Sequence, residues 1–112
     1  MKNIAVLSCG KVKCAFSGCL NAFYDRAKAF ERYAGEELRL SAMMRCPECM
    51  AEADPMTSEA FVRNLERVSA MKDVTLHIGH CASGRAEKGC EGIKRMAAAF
   101  EEKGVEVVWG TH

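Results

Sequence analysis

Asn3-Ile4-Ala5-Val6-Leu7-Ser8-Cys9 opens the chain with four consecutive apolar residues that stop at a hydroxyl and a thiol. A run that is apolar at every position, rather than at alternate ones, is the pattern of a strand buried on both faces. Such a strand needs helices on both sides of a mainly parallel sheet. Residues 3–8 therefore read as the central strand of an α/β domain, and the chain that follows has to supply the covering helices.

It does so in alternation. Ser17 is a good N-cap, and Leu20, Phe23, Ala27 and Phe30 form one stripe of a helix that Gly35 ends. Residues 37–45 read as a second strand. Pro55 and Thr57 open a second helix, with Glu59 in its first turn and Phe61, Leu65 and Val68 on one face. Residues 73–79 are a third strand. A third helix carries Ile93, Met96, Ala97 and Phe100 and stops at Gly104, and residues 105–109 close the sheet. The alternation predicts one α/β domain over residues 1–112. Its architecture is a three-layer sandwich with a four-stranded, mainly parallel sheet, strand order 2-1-3-4, and three helices.

The chain has 112 residues, 49% of them apolar, which suffices for one core. Sixteen basic and fifteen acidic residues leave a formal net charge of +1, so no strong field attracts nucleic acid or an anionic membrane. The opening apolar run is too short for a secretion signal or a membrane span, which points to the cytoplasm. Seven cysteines is a high count. An odd number, without an export segment and in a chain with an ordinary core, argues against a disulfide framework and for metal or redox chemistry.

The positions of the cysteines sharpen this. In an open parallel sheet every strand-to-helix loop leaves from the carboxyl edge, where ligands bind. Cys9 follows the first strand, Cys46 and Cys49 the second, His80 and Cys81 the third, and His112 the fourth. Cys14 lies in the first of these loops, Cys19 in the opening turn of the first helix, and Cys90 near the start of the third. Helix N-termini acidify thiols, and the thiolate is the form that ligates metals. The pair Cys46-Pro47-Glu48-Cys49 has a spacing that lets both sulfurs reach one ion, or lets them cycle as a redox dithiol. The metal candidates are thus Cys9, Cys46, Cys49 and Cys81, with Cys14, Cys19, Cys90, His80 and His112 beside them. Thiolates with imidazole suit zinc, and three or four thiolates suit an iron–sulfur cluster.

These residues resemble the CGGC-domain family, small cysteine-rich proteins associated with metal binding. The opening stretch up to Cys9, then Cys14 and Cys19 ahead of Ala22-Phe23, is similar to that family's cysteine-rich start. Cys46-Pro47-Glu48-Cys49 stands where its name-giving motif stands, His80-Cys81 resembles its cysteine after strand three, and Trp109-Gly110-Thr111-His112 resembles its closing threonine–histidine. Two departures are visible. Pro47-Glu48 replaces the two glycines, and Gly92 stands where the family carries a histidine after Cys90. The resemblance implies metal binding without naming a reaction, so whether the chain is an enzyme stays open.

Other motifs fail. A low-molecular-weight phosphatase needs an arginine six residues after its cysteine, where this chain has Ala15 or Leu20, and neither a GxGxxG loop nor a Walker lysine follows the first strand. His77 reads as a core or helix-facing histidine. Met43, Met44 and the other methionines read as core filler. Arg63, Glu66, Arg67, Lys94, Arg95 and Glu102 read as solvated helix faces. The alternative to metal binding is a thiol–disulfide or other cysteine-dependent redox enzyme using Cys46 and Cys49. An exposed crevice also leaves room for a small-molecule ligand, or for a second copy of the chain to close it as a homodimer.

Overall fold

The computed structural model describes residues 2–8, 17–45, 55–79, 87 and 90–111, with backbone alone at 17–19 and 111. Its elements are β1 (Lys2–Ser8), α1 (Ser17–Asp25), a 3-10 segment (Lys28–Tyr33), β2 (Leu38–Arg45), a 3-10 turn (Pro55–Thr57), α2 (Glu59–Ser69), β3 (Val74–Gly79), α3 (Glu91–Glu102) and β4 (Glu106–Thr111). All strand pairs are parallel and the order is β2-β1-β3-β4, as the sequence predicts.

β1 is central because its residues can be buried on both faces. Ile4, Ala5, Val6 and Leu7 are all at most 1% exposed. Side chains alternate along a strand, so Ile4 and Val6 pack with Ala22, Phe23, Phe30 and Tyr33. Ala5 and Leu7 pack on the other side, with Phe61, Leu65 and Val68 of α2 and Ile93, Met96 and Phe100 of α3. These two clusters are the two interlayer cores of the sandwich. The polar faces expected on α2 and α3 are exposed at Arg63, Glu66, Arg67, Lys94, Arg95 and Glu102.

β2 changes its facing halfway along. Leu38 and Leu40 pack on the α1 side, whereas Ala42 and Met44 pack on the α2–α3 side. The cause is a register shift opposite Ile4 and Ala5, where Leu40 and Ala42 are the successive partners and Ser41 is the extra residue. Past the shift, Met43 and Arg45 belong to the α1 face. The methionines therefore divide. Met44, Met71 and Met96 contribute to the core, but Met43 and Met56 are exposed, which corrects the expectation of uniform core filler.

The first helix is shorter than its apolar stripe implies. It ends at Asp25 rather than running to Gly35, because Arg26 takes φ 53° and closes a Schellman motif. Ala27 N donates to Ala22 O at 2.9 Å and Arg26 N to Phe23 O at 3.4 Å. The Arg26 guanidinium also donates to the Phe23 carbonyl and lies over the Phe23 ring. A 3-10 segment then carries Phe30 and Tyr33 onto the sheet. At the second helix, Pro55–Thr57 forms a separate 3-10 turn, and Ser58 is the true cap, its hydroxyl accepting from Phe61 N at 3.3 Å. α3 ends as expected, with Gly104 at φ 86° and Val105 N donating to Phe100 O at 3.1 Å. The fourth strand extends to Thr111, two residues beyond the expected end. Among the described residues no helix is long and apolar enough to cross a membrane.

Candidate functional site

The carboxyl ends of the four strands form a flush edge. Ser8 of β1 pairs with Arg45 of β2, Leu7 pairs with Ile78 of β3, and Gly79 of β3 pairs with Thr111 of β4. Each strand thus leaves the sheet within about one residue of its neighbour, at a lateral spacing of about 4.8 Å. In sequence the next residues are Cys9, Cys46, His80 and His112.

Cys9, Cys14, Cys46, Cys49, His80, Cys81 and His112 lie outside the described residues. Cys19 is the third residue of α1, in its opening turn as expected. Cys90 is the N-cap of α3, half-buried, with no side-chain capping bond, and it packs against the core that α2 and α3 form on the sheet. Among the described residues no group of three or more cysteine, histidine, aspartate or glutamate side chains could hold a metal ion.

The described rim of the edge has its own chemistry. Ser8 is 1% exposed, and its hydroxyl has no hydrogen-bond partner among the described residues. Beside it Arg45 is exposed and makes no ion pair among the described residues. α1 runs back from this edge, since Tyr33, which follows it, lies near Lys2 at the amino end of β1. Ala22 belongs to the same buried cluster as Ile4 and Val6. Ser17 is five residues before Ala22, about 7.5 Å of helix, and Ser8 is two residues past Val6, about 6.6 Å of strand. The N-terminus of α1 therefore lies toward the same edge as Ser8.

Deeper on the same face is a polar pair that sequence reasoning located only in part. His77 is fully buried, as expected of a core histidine, stacked on Phe30 at 4.5 Å, with its Nε2 2.8 Å from the Tyr33 hydroxyl. Burial, reinforced by the Arg32 and Lys2 cations, pushes the imidazole down to about 4. Burial also raises the Tyr33 phenol. Both groups are uncharged at neutral pH. The signal for Tyr33 was weak, because it belongs to a 3-10 segment that a continuous helix would have oriented differently.

Two hollows lined by described residues lie away from this edge. A groove of about 340 Å³ runs along the outer side of α2, lined by Met56, Thr57, Glu59, Val62, Arg63 and Glu66. A polar hollow of about 290 Å³ lies at the opposite, amino edge between Lys2, Asp73 and Gly104. There Lys2 bonds Asp73 at 2.8 Å, a contact that raises the lysine.

A family model described as the CGGC domain matches residues 3–112, nearly the whole chain. No curated protein and no solved structure matches it.

Proposed function

The chain belongs to the CGGC-domain family, and from that membership we propose that it binds a metal through cysteine thiolates gathered at the carboxyl edge of its sheet, as a zinc ion or an iron–sulfur cluster. The observation that carries this reading is the flush edge, whose four strand ends, Ser8, Arg45, Gly79 and Thr111, are each followed in sequence by a thiol or an imidazole. Neighbouring exits about 4.8 Å apart are on the scale at which thiolates share an ion, with metal–sulfur bonds of about 2.3 Å.

The donor set fits the group. Cys9, Cys46, Cys49 and Cys81 are the core ligands of the proposal, with His80 and His112 as imidazole donors and Cys14 and Cys19 as further thiols. Cys90 suits the role least, because it packs against the α2–α3 core. An ion with one position left open would act as a Lewis acid toward a small ligand, and one held by four protein groups would not. A reducing compartment such as the cytoplasm keeps these thiols free to ligate.

The test is the metal and acid-labile sulfide content of protein purified without oxygen, with its visible spectrum, for the wild type and for Cys46→Ser/Cys49→Ser. Iron with sulfide and visible charge-transfer absorption is the cluster result, and about one zinc per chain in colourless protein is the zinc result. In either case the double variant loses the metal. Folded wild-type protein that carries neither, and takes up neither on reconstitution, overturns the reading. Turnover of a disulfide substrate by such metal-free protein would then assign the pair to thiol–disulfide exchange.

A further inference from the structure

Ser8 presents a hydroxyl that no described residue satisfies. It ends the central strand, is 1% exposed, and its Oγ has no hydrogen-bond partner among the described residues. Leaving a hydroxyl desolvated and unbonded costs about 1–3 kcal/mol, so such a group calls for a partner, whether an ordered water or a bound ligand or ion. Thr75, the other hydroxyl buried without a bond on this face, differs: it lies close enough to Tyr33 to ease that phenol's ionisation. Among the described residues nothing comparable stands beside Ser8.

The surroundings of Ser8 say which charge it serves. The strand alternation that buries Ile4 and Val6 under α1 places Ser8 on that same face. The register shift in β2 brings Arg45, the Cα partner of Ser8, to the same side. The N-terminus of α1 lies toward the same edge, with amide groups that no intrahelical carbonyl satisfies. A hydroxyl donor, a guanidinium and a helix N-terminus all favour an anion. A metal held by three or four thiolates is anionic overall, and one of its proposed thiols, Cys9, is bonded to Ser8 through the backbone.

We infer that Ser8 is a positioning residue whose hydroxyl donates a hydrogen bond to a thiolate of the bound centre, with Arg45 and the α1 N-terminus completing an electropositive wall on that side. This rests on the metal-binding reading. The hydroxyl orients the sulfur and spreads its charge, the role outer groups play around metal ligands. Without the centre the same hydroxyl is a burden on the fold.

That opposition gives the test. Zn²⁺ is the probe, its affinity for the full chain measured by competition with a chelator. Thermal midpoints are recorded with zinc in excess and with chelator in excess, for the wild type, Ser8→Ala and Ser8→Thr. The expected result for Ser8→Ala is an affinity about tenfold lower, the low end of what such outer groups contribute, with a chelated midpoint at or above that of the wild type. Ser8→Thr, which keeps the hydroxyl, stays near the wild-type affinity. An unchanged affinity in Ser8→Ala overturns the inference, and so does a chelated midpoint that falls in step with the loaded one, since the hydroxyl would then be bonded within the fold. Wild-type protein that binds no zinc and carries no cluster removes the metal-binding reading itself, a result distinguishable from either of these.

Discussion

His77 ties the stability of this protein to pH. The imidazole is fully buried and held down to about 4 against an ordinary 6.5. Between those values the unfolded chain binds the proton and the folded one does not, so acid favours unfolding. The difference of about 2.5 units corresponds to about 3 kcal/mol at 1.36 kcal/mol per unit. The loss begins below the unfolded value of 6.5, reaches about 2 kcal/mol at pH 5 and approaches about 3 kcal/mol near pH 4. Among the described groups around the ring, the Arg32 and Lys2 cations disfavour a further positive charge, and Tyr33 is uncharged. The assay is urea unfolding of identically prepared wild type and His77→Gln from pH 7.5 to 4. Carboxylates and metal ligands titrate in both proteins, so their effect cancels in the difference. Wild type should lose its margin over the glutamine variant steadily as the pH falls. Parallel profiles for the two proteins would refute the claim that burial keeps this imidazole neutral.

Two further substitutions test how the helices are ended. Ser58→Ala removes the hydroxyl that accepts from Phe61 N, and should cost about 1 kcal/mol in chemical denaturation. Gly104→Ala meets no atom within 4 Å, so its cost comes from the backbone alone: φ 86° disfavours any Cβ, and the loss should be about 1–2 kcal/mol with the m-value unchanged.

Which features could be read from the residues follows from how local their causes are. β1 was legible because burial on both faces leaves an unbroken apolar run, and Ile4 to Leu7 meets that requirement without help from distant residues. Gly104 was legible because the left-handed C′ position usually belongs to glycine. Arg26 was not, although it closes the same motif, since nothing marks an arginine as a C′ residue; its guanidinium contacts to Phe23 exist only after folding. The strand ends that precede the candidate ligands were legible from the apolar runs, while most of the ligands themselves lie outside the described residues. Ser8 was not, because a serine at the end of a strand is unremarkable until its burial and lack of a partner are known. Arg45 escaped notice for a related reason, as its facing depends on one extra residue at Ser41.

The flush edge has a consequence for the order of events as the chain folds. Ser8, Arg45, Gly79 and Thr111 become neighbours only through parallel pairings, each of which closes a long stretch of chain. An unfolded chain offers an ion only donors close in sequence, such as Cys46 and Cys49. On the proposed metal-binding reading, loading at full strength would wait for the strands that carry the ligands to dock, and metal occupancy would become a timer that starts when that edge is assembled.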